Sequence, residues 1–354
     1  MALRVLTYGE INREEWETLI KESKTGTWFQ TPEAYDFFAS QREIMRPFVL
    51  AVRWHQPDGS KQSSDGSSQQ TLRGVCCGYV TIEKNPLKQY FTRRAIIIGG
   101  PVLADDCSTE EAYVLMQAVR RHLMTDTSSA QSPIYIETRN FNDYTKWSAV
   151  FGQAGFIYQP HLNFHFDCRD KDLMWAVLSE TRRRQIRKTL KNGAAIEEAQ
   201  TEQELTDWYR ILADLYHRKV KTPLFPLSFF LAFYRQRRGV YLLVKYAGKV
   251  IGGIMCPVWE GRCIYEWFIC GLDGEYHDLY PSVLATWAAM EYAHTHGIPK
   301  YDMMGAGVPG VPYGVRNFKA EFGGELVEHG RFLYIAKPIL YRIGVLGVRM
   351  MKNQ

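Results

Sequence analysis

The sequence predicts an α/β protein with two related domains, and three observations lead to this prediction. The chain has 354 residues. A single hydrophobic core rarely supports a chain of this length, since domains typically hold roughly 100 to 200 residues. Its residues are 46% hydrophobic and 23% charged, a composition typical of globular proteins. The third observation is a repeat: each half of the chain contains, in order, a predicted hairpin, a helix, a strand and a Phe/Gly ending.

The first copy occupies the N-terminal half of the chain. Two apolar runs, 47–54 and 73–84, predict strands on either side of residues 56–71, whose Ser, Gln and Gly content predicts a flexible hairpin tip. Ser-Thr-Glu-Glu, beginning at Ser108, is a capping sequence that predicts the start of a helix. The copy then closes with the strand PIYIET (133–138) and the pair Gly155-Phe156.

The second copy begins with two strand-like runs, 239–246 and 249–259, joined by Ala-Gly, which predicts a tight hairpin turn. It continues with a third strand RCIYEWFI, a helix from about Tyr280 to His296, the strand YDMMG (301–305) and the pair Phe322-Gly323. We expect the two copies to join near Phe164 to Lys171. Helical residues 171–238 would form an insertion or platform in the second copy.

A basic cluster begins the second half. The segment TRRRQIRKTLK (181–191) carries six cations; on a helix, Arg183 and Arg187 share one face, while Arg184 and Lys188 lie in the next row. We expect these four side chains to bind an anion such as a diphosphate or a nucleic-acid backbone. The alternative is an ordinary solvated helix face. The scarcity of acidic partners in this segment favours anion binding.

The loop after the last predicted strand has the composition of a ligand-lining loop. Residues 305–314, GAGVPGVPYG, combine four glycines and two prolines at a strand's carboxyl end, where loops of α/β proteins often line crevices. Gly305, Gly307 and Tyr313 of this loop, and Arg316 just after it, are therefore predicted to contact substrate.

Lys319 follows in an unusual setting, between Phe318 and Phe322 and before Gly323-Gly324. Aromatic side chains are costly on a surface helix, and a glycine pair ends a helix. Phe318 and Phe322, four residues apart, could simply anchor the segment in a core while the glycines form a turn. Both interpretations can hold together, because anchoring aromatics would orient Lys319.

Several common chemistries lack their motifs. The sequence contains no Gly-x-Ser-x-Gly elbow, His-Glu-x-x-His, Walker loop or Gly-x-Gly-x-x-Gly. His161 and His165 lack an evident third ligand, so we expect packing histidines and no metal site. The acidic cluster from Asp273 to Asp278 could deprotonate a nucleophile, but acids that form a turn before a helix are commoner. Seven scattered cysteines fit reduced, mostly buried thiols. We expect no cofactor.

Five segments together resemble the Fem family of bacterial peptidoglycan-bridge aminoacyltransferases, which is related to the GNAT acyltransferases. These segments are WFQTPEAY near the start, IIIGGPVL (96–103), GFIYQPHLNFHFD (155–167), LSETRRRQIRKTLKNG (178–193) and FKAEFGGELVEHGRF at 318–332. The resemblance spans nearly the whole chain, and its most specific parts are FK-x-x-FGG and G-G-P. It implies two GNAT-like domains, each with a mixed, mostly antiparallel sheet flanked by helices. We place these domains at residues 1–167 and 168–329, with residues 330–354 packing on the first.

The resemblance also implies an activity. Fem proteins transfer an amino acid from aminoacyl-tRNA to an amine of a peptidoglycan precursor, so these two molecules are the expected partners. The family's Phe-Lys pair maps onto Phe318 and Lys319. A fixed ammonium can stabilise the charge that develops on an acyl oxygen, or hold a terminal phosphate of tRNA, and a phenylalanine can stack on the terminal adenine. Direct transfer can proceed largely by positioning, without a catalytic triad.

Two other functions stay open at this point. The first is an acyl-CoA dependent GNAT N-acyltransferase acting in cell-surface polysaccharide biosynthesis. Its CoA diphosphate would need a basic, glycine-rich loop opening a helix, whereas GLDGEYHDLYPS, before the helix at 280, is acidic. The second is a non-catalytic binding module, since fold does not fix function.

The C-terminal segment KPILYRIGVLGVRMMKNQ combines apolar residues with Lys337, Arg342, Arg349 and Lys352. It predicts an amphipathic helix that either lies on a membrane surface or closes the core of the first domain. No run approaches eighteen apolar residues, and the N-terminal residues lack the apolar stretch of a signal peptide. The sequence-based expectation is therefore a cytoplasmic protein, with peripheral contact with the inner membrane surface as an open alternative.

Overall fold

The structure is a computed structural model that describes residues 2–55, 71–125 and 132–352. Residues 56–70, which hold most of the predicted hairpin tip, lie outside this range. The chain divides into two compact units. The first unit comprises Met1–Pro160 and His329–Gln354, and the second comprises His161–Glu328.

The first unit contains an eight-stranded sheet with helices. Its strands are β1 (Ala2–Thr7), β2 (Met45–His55), β3 (Leu72–Thr81), β4 (Ala95–Gly99), β5 (Val102–Leu103), β6 (Tyr135–Asn140), β7 (Ile157–Gln159) and β16 (Arg331–Ile335). Its helices are α1 (Arg13–Glu22), α2 (Pro32–Ser40), α3 (Pro86–Thr92), α4 (Thr109–Thr125), α5 (Ser148–Gln153) and α12 (Pro338–Lys352).

The first sheet runs β1-β2-β3-β4-β6-β16-β7, with β5 paired to β3. Its pairs are antiparallel except β4 with β6, which is parallel. Helix α4 buries Ala112, Leu115, Met116 and Val119, a spacing of three and four that directs one face of the helix toward the sheet. The late strand β16 lies inside this sheet, between β6 and β7.

The second unit repeats this architecture with another eight-stranded sheet. Its strands are β8 (Leu162–Asp167), β9 (Ala195–Glu198), β10 (Gly239–Tyr246), β11 (Lys249–Trp259), β12 (Cys263–Tyr265), β13 (Phe268–Gly271), β14 (Lys300–Asp302) and β15 (Glu325–Glu328). Its helices are α6 (Lys171–Val177), α7 (Glu180–Lys191), α8 (Glu202–Leu215), α9 (Leu227–Arg235), α10 (Pro281–Thr295) and α11 (Gly314–Ala320).

The second sheet runs β15-β8-β14-β12-β11-β10-β9, with β13 paired to β11, and β12 with β14 is its parallel pair. Helix α10 is apolar around its circumference and buries residues on every side, including Leu284, Trp287 and Met290. Such a helix belongs in a core. The two mixed, mostly antiparallel sheets with flanking helices confirm the predicted fold class. The predicted domain boundary after residue 167 would assign β8 to the first domain, whereas β8 pairs with β14 and β15 of the second sheet.

Two predicted strands differ from the observed ones. RCIYEWFI is two strands, β12 and β13, separated by Glu266 and Trp267. The side chain of Glu266 binds a lysine described below. The predicted strand 301–305 ends at Asp302, because Met304 adopts a left-handed backbone with φ 53°, which a strand cannot contain. Within the described ranges, we find no helix long and apolar enough to cross a membrane.

Candidate active site

The glycine-rich loop after β14 is held against β8. The backbone N–H of Ala306 donates to the carbonyl of Leu162 (2.7 Å), and the N–H of Leu162 donates to the carbonyl of Gly307 (2.8 Å). Gly305 and Gly307 have φ of 123° and 80°, which L side chains rarely adopt. At Gly307 an added Cβ would lie 2.8 Å from the ring of Tyr313. The loop therefore needs glycine here, both for its backbone and for this close contact.

Lys319 binds the backbone carbonyls of this loop. Its Nζ donates to the carbonyl of Met303 and, at 3.0 Å, to the carbonyl of Gly305. It also lies 2.8 Å from Oε1 of Glu266, and both side chains are buried. The hydroxyl of Tyr301 donates to the second oxygen of Glu266 at 2.5 Å. Three partners therefore match the three donors of the ammonium, and Lys319 is not a free surface cation.

Asp302 and Asn163 hold the same loop by its backbone amides. Oδ1 of Asp302 accepts the N–H of Met304 at 2.8 Å, and Oδ1 of Asn163 accepts the N–H of Gly305 at 2.7 Å. Asp302 follows the core residue Tyr301 in β14, so the two side chains leave opposite faces of the sheet. The turn after β14 is thus fixed by hydrogen bonds from its amide groups on one face and by hydrogen bonds to its carbonyl groups on the other.

A histidine completes this second group. Nε2 of His165 lies 3.0 Å from Oδ2 of Asp302, a fully buried carboxylate. Burial alone would raise the pKa of Asp302, but the charge and hydrogen bond of His165, with contributions from Lys300 and Asn163, lower it to about 2. Asp302 is therefore ionised through the neutral range.

Arg316 shapes the remainder of the loop. Its guanidinium donates to the carbonyls of Ala306 (2.8 Å), Val308 (2.5 Å) and Val311 (3.0 Å). Tyr313, at the start of α11, is exposed. Of the residues predicted to contact substrate here, Tyr313 presents an exposed ring, whereas Arg316 engages the loop's own carbonyls.

Helices α7 and α11 are joined through Arg182. Its guanidinium carbon lies 4.5 Å from the ring centre of Phe318 and 5.3 Å from that of Phe322. Its Nε is 3.4 Å from a carboxylate oxygen of Glu321. Burial lowers the pKa of Arg182. Phe322 is fully buried and Phe318 packs beside it, so both aromatics anchor the segment that carries Lys319.

The predicted cationic rows of α7 have different neighbours. Arg183 donates to the carbonyl of Ala176 (3.1 Å), and Arg187 lies 5.1 Å from the ring centre of Trp175, so this row faces α6. Lys188 pairs with Asp278 at 2.5 Å, an acidic partner that the local sequence did not reveal.

Arg184, next to Lys188 in the second row, is exposed. The four predicted anion-binding cations lie on the same helix as Arg182, namely Arg183, Arg184, Arg187 and Lys188. Because Arg182 packs on Phe318, this helix is fixed relative to Lys319.

Carboxylates occupy the N-termini of two long helices. At α10, Asp273 accepts the N–H of Ser282 (3.2 Å) and the Ser282 hydroxyl. At α4, Glu111 accepts the N–H of Ser108 (2.6 Å) and pairs with Arg73 (2.7 Å). The acid cluster before α10 thus caps this helix and, through Asp278, pairs with α7, as turn-forming acids would.

Metal and thiol chemistry receive no support from the described residues. In the described ranges, no group of three or more His, Cys, Asp or Glu side chains could hold a metal ion. All seven cysteines are buried and unpaired. Burial raises the pKa of each thiol, so none is prepared as a thiolate nucleophile.

Sequence reasoning missed four residues of this site. Glu266 could have been noticed, because it is the one acid in the apolar run RCIYEWFI. The pairing of Asp302 with Asn163 joins strands distant in sequence and left no local signal. Arg182 was one of several similar cations, and only packing distinguishes it.

Comparisons with known proteins agree with this architecture. Residues 179–319 match the family model described as the acetyltransferase (GNAT) domain, from the N-cap of α7 to Lys319. The second unit therefore contains a GNAT acyltransferase domain. Among solved structures, the chain is similar to FemX, with 15% identity, a TM-score of 0.67 and coverage of 97% of this chain and 99% of that one. It is also similar to L-PGS from Bacillus licheniformis, with 12% identity, a TM-score of 0.53 and 97% coverage of both chains. No curated protein matched.

The protein is thus an acyltransferase that carries, at residues 179–319, a domain of the GNAT class. Within that class its fold is Fem-like along nearly the entire chain, as the sequence resemblance predicted.

Proposed function

We propose that this protein transfers an amino acid from aminoacyl-tRNA directly to an amine of a lipid- or nucleotide-linked peptidoglycan precursor. One observation carries the proposal: the cationic helix α7 and the Phe318-Lys319 segment are fixed together by Arg182, which stacks 4.5 Å from Phe318. Cations on that helix can hold the phosphates of a polyanionic donor while its acyl end reaches the loop beside Lys319. Arg184 and Arg187 are exposed and suited to this role.

The helix N-termini favour tRNA over CoA as the donor. A CoA diphosphate would gain most from free N–H groups and the positive end of a helix dipole. Here Asp273 caps α10, and Glu111, which is paired with Arg73, caps α4. An N–H group at each end therefore already has an acceptor, and the carboxylate of Asp273 would repel a diphosphate. A donor held by side-chain cations avoids this repulsion.

The proposed reaction balances without a further reagent. The acceptor amine attacks the ester carbonyl of the donor, a C–N bond forms, and the C–O bond to the ribose breaks. One amine proton ends on the departing ribose hydroxyl, directly or through water. Positioning supplies much of the rate in such a transfer.

Lys319 is the proposed catalytic residue. Its ammonium would stabilise the charge on the acyl oxygen if that oxygen replaced one of its present carbonyl partners, Met303 or Gly305. Phe318 is proposed to stack on the terminal adenine with the part of its ring that Arg182 leaves uncovered. The wall of the acyl site would be formed by Gly305, Gly307, Tyr313 and Arg316.

The test measures transfer of radiolabelled amino acids from a charged total tRNA pool to lipid-linked and nucleotide-linked precursors. We expect the variant Arg184→Glu/Arg187→Glu to lower transfer at least tenfold at low salt, with the difference shrinking as salt rises. Arg210→Glu, a charge reversal at an exposed position of α8, is the control and should transfer like wild type. Acyl-CoA turnover without any transfer from tRNA would refute the proposed donor.

A further inference from the structure

Helix α12 has two apolar faces, only one of which packs on its own unit. On the inner face, the ring of Tyr341 meets Tyr135 of β6 edge-on, with ring centres 5.4 Å apart. On the outer face, Ile339, Ile343 and Leu346 are 75%, 50% and 56% exposed. Their spacing of four and three forms one stripe along the helix. Closing the core therefore accounts for only one of the two apolar faces.

Helix α3 contacts α12 and adds to this surface. It exposes Leu87, Tyr90 and Phe91, which gives a seven-residue helix an unusually apolar exterior. The backbone of Ile134 also connects the two helices through hydrogen bonds. Its N–H donates to the carbonyl of Arg93 at the end of α3, and its carbonyl accepts the N–H of Lys337, just before α12. We call the exposed side chains of α3 and α12 the apolar face of the first unit.

Cations border this apolar face. Arg46 and Arg93 line a cavity of about 250 Å³ beside α3. Burial and the charge of Arg46 lower the pKa of Arg93, and burial and the charge of Arg93 lower the pKa of Lys337. Arg93 thus lies close enough to Arg46 and to Lys337 for their positive charges to interact. Exposed Arg342 adds a fourth cation on α12 itself.

Two acids near this surface pair with lysines. Glu83 and Glu43 pair with Lys88 and Lys84 at 2.9 and 3.0 Å. The chain contains no Asp or Glu after Glu328. The apolar face is therefore bordered by cationic side chains, and the segment that follows Glu328 contributes positive charge only.

From this combination we infer that the apolar face of α3 and α12 docks on the surface of a bilayer containing anionic phospholipid. An apolar stripe bordered by cations is suited to the interface, where apolar side chains enter the acyl boundary and cations contact lipid phosphates. The helix would lie in the plane of the bilayer, since no described helix can span it. The inference does not depend on which acyl group the enzyme transfers.

The test is vesicle flotation of the full chain, comparing phosphatidylcholine vesicles with vesicles containing about one third phosphatidylglycerol. We expect wild type to float with the anionic vesicles, and less so as salt rises. Ile339→Glu/Ile343→Glu and, separately, Leu87→Glu/Phe91→Glu should each lower the bound fraction at least tenfold. Leu173→Glu, at an exposed leucine on α6 of the second unit, is the matched control and should bind like wild type.

Two results would overturn the inference. One is equal flotation of wild type and both double variants. The other is a wild-type dimer that ignores vesicles and becomes monomeric in the variants, which would assign the face to a second copy of the chain. Transfer to a nucleotide-linked acceptor should be unchanged in the variants, so a failure of docking is distinguishable from a failure of the proposed reaction.

Discussion

Replacing Lys319 with Met would leave the carboxylate of Glu266 buried without its counter-charge. In the folded protein the two charged groups are 2.8 Å apart with side-chain exposures of 7% and 4%. Removing one member of such a buried pair costs about 3–5 kcal/mol. The variant Lys319→Met/Glu266→Gln removes both charges and keeps an acceptor for the hydroxyl of Tyr301. We therefore expect the double variant to be less destabilised than Lys319→Met, with a coupling energy of about 2 kcal/mol.

The assay should report on the second unit, because a chain of two units need not unfold in one step. Hydrogen exchange of a peptide covering residues 300–310 is suitable, since the amides of Met304 and Gly305 bond to Asp302 and Asn163. Exchange should accelerate most in Lys319→Met and less in the double variant. Equal destabilisation of the two variants would refute the argument that the ion pair, rather than the lysine alone, holds the loop.

The same double variant separates the two roles of Lys319. It restores the fold without restoring the ammonium, so an ammonium that stabilises the acyl oxygen predicts a fall in kcat of at least a hundredfold with a smaller change in KM. Transfer near the wild-type rate would limit Lys319 to positioning the loop.

Three further predictions concern neighbouring contacts. The pKa of Asp302 is about 2 in the folded protein, below its ordinary 3.8. Its ionised form therefore stabilises the fold above about pH 4, and this stabilisation is lost as pH falls toward 2. In acid unfolding, Asp302→Asn should remove about 2 kcal/mol of that pH dependence. Arg182→Lys should destabilise the second unit by about 1–2 kcal/mol in urea, because an ammonium does not replace a stacked guanidinium. Gly307→Ala should cost about 1–3 kcal/mol, since it adds a clash with Tyr313 to the strain of a positive φ.

Each of these has its own control. Gly310→Ala carries a similar positive φ of 73° but meets open space, so it isolates the backbone cost, and an equal loss at Gly307 would contradict the clash. An unchanged pH slope in Asp302→Asn would assign the acid transition to other carboxylates, such as Glu137, whose pKa is also lowered to about 2. Full stability in Arg182→Lys would mean that charge alone joins α7 to α11.

Elements defined by local patterns were predictable from the sequence. Strands β10 and β11 begin and end where their apolar runs do, because the turn between them is local: Ala247 and Gly248 have φ of 48° and 76°, as a tight hairpin turn of the I′ type requires. Helix α10 follows from a long apolar run with Pro281 at its start. Two related α/β domains could therefore be inferred without long-range information.

The segment that carries Lys319 was marked by its sequence, but the contacts of this candidate site were not. The position of Lys319 between two phenylalanines and after a glycine-rich loop marked the segment, yet its partner Glu266 lies between β12 and β13 and its selection depends on packing. Glu266, at the break between β12 and β13, and the loop after β14 both contact Lys319, which is far from them in sequence or lies in another element. Lys188 likewise found an acidic partner, Asp278, that no helical spacing could reveal.

The position of β16 sets an order for folding during synthesis. This strand lies between β6 and β7 in the first sheet, yet it is translated after the entire second unit. Until residues 331–335 leave the ribosome, β6 and β7 lack a neighbour that bonds to both of them, while all strands of the second sheet are already available. The second unit can thus complete its sheet first, and the N-terminal half of the chain must wait for the C-terminal end before its own sheet can close.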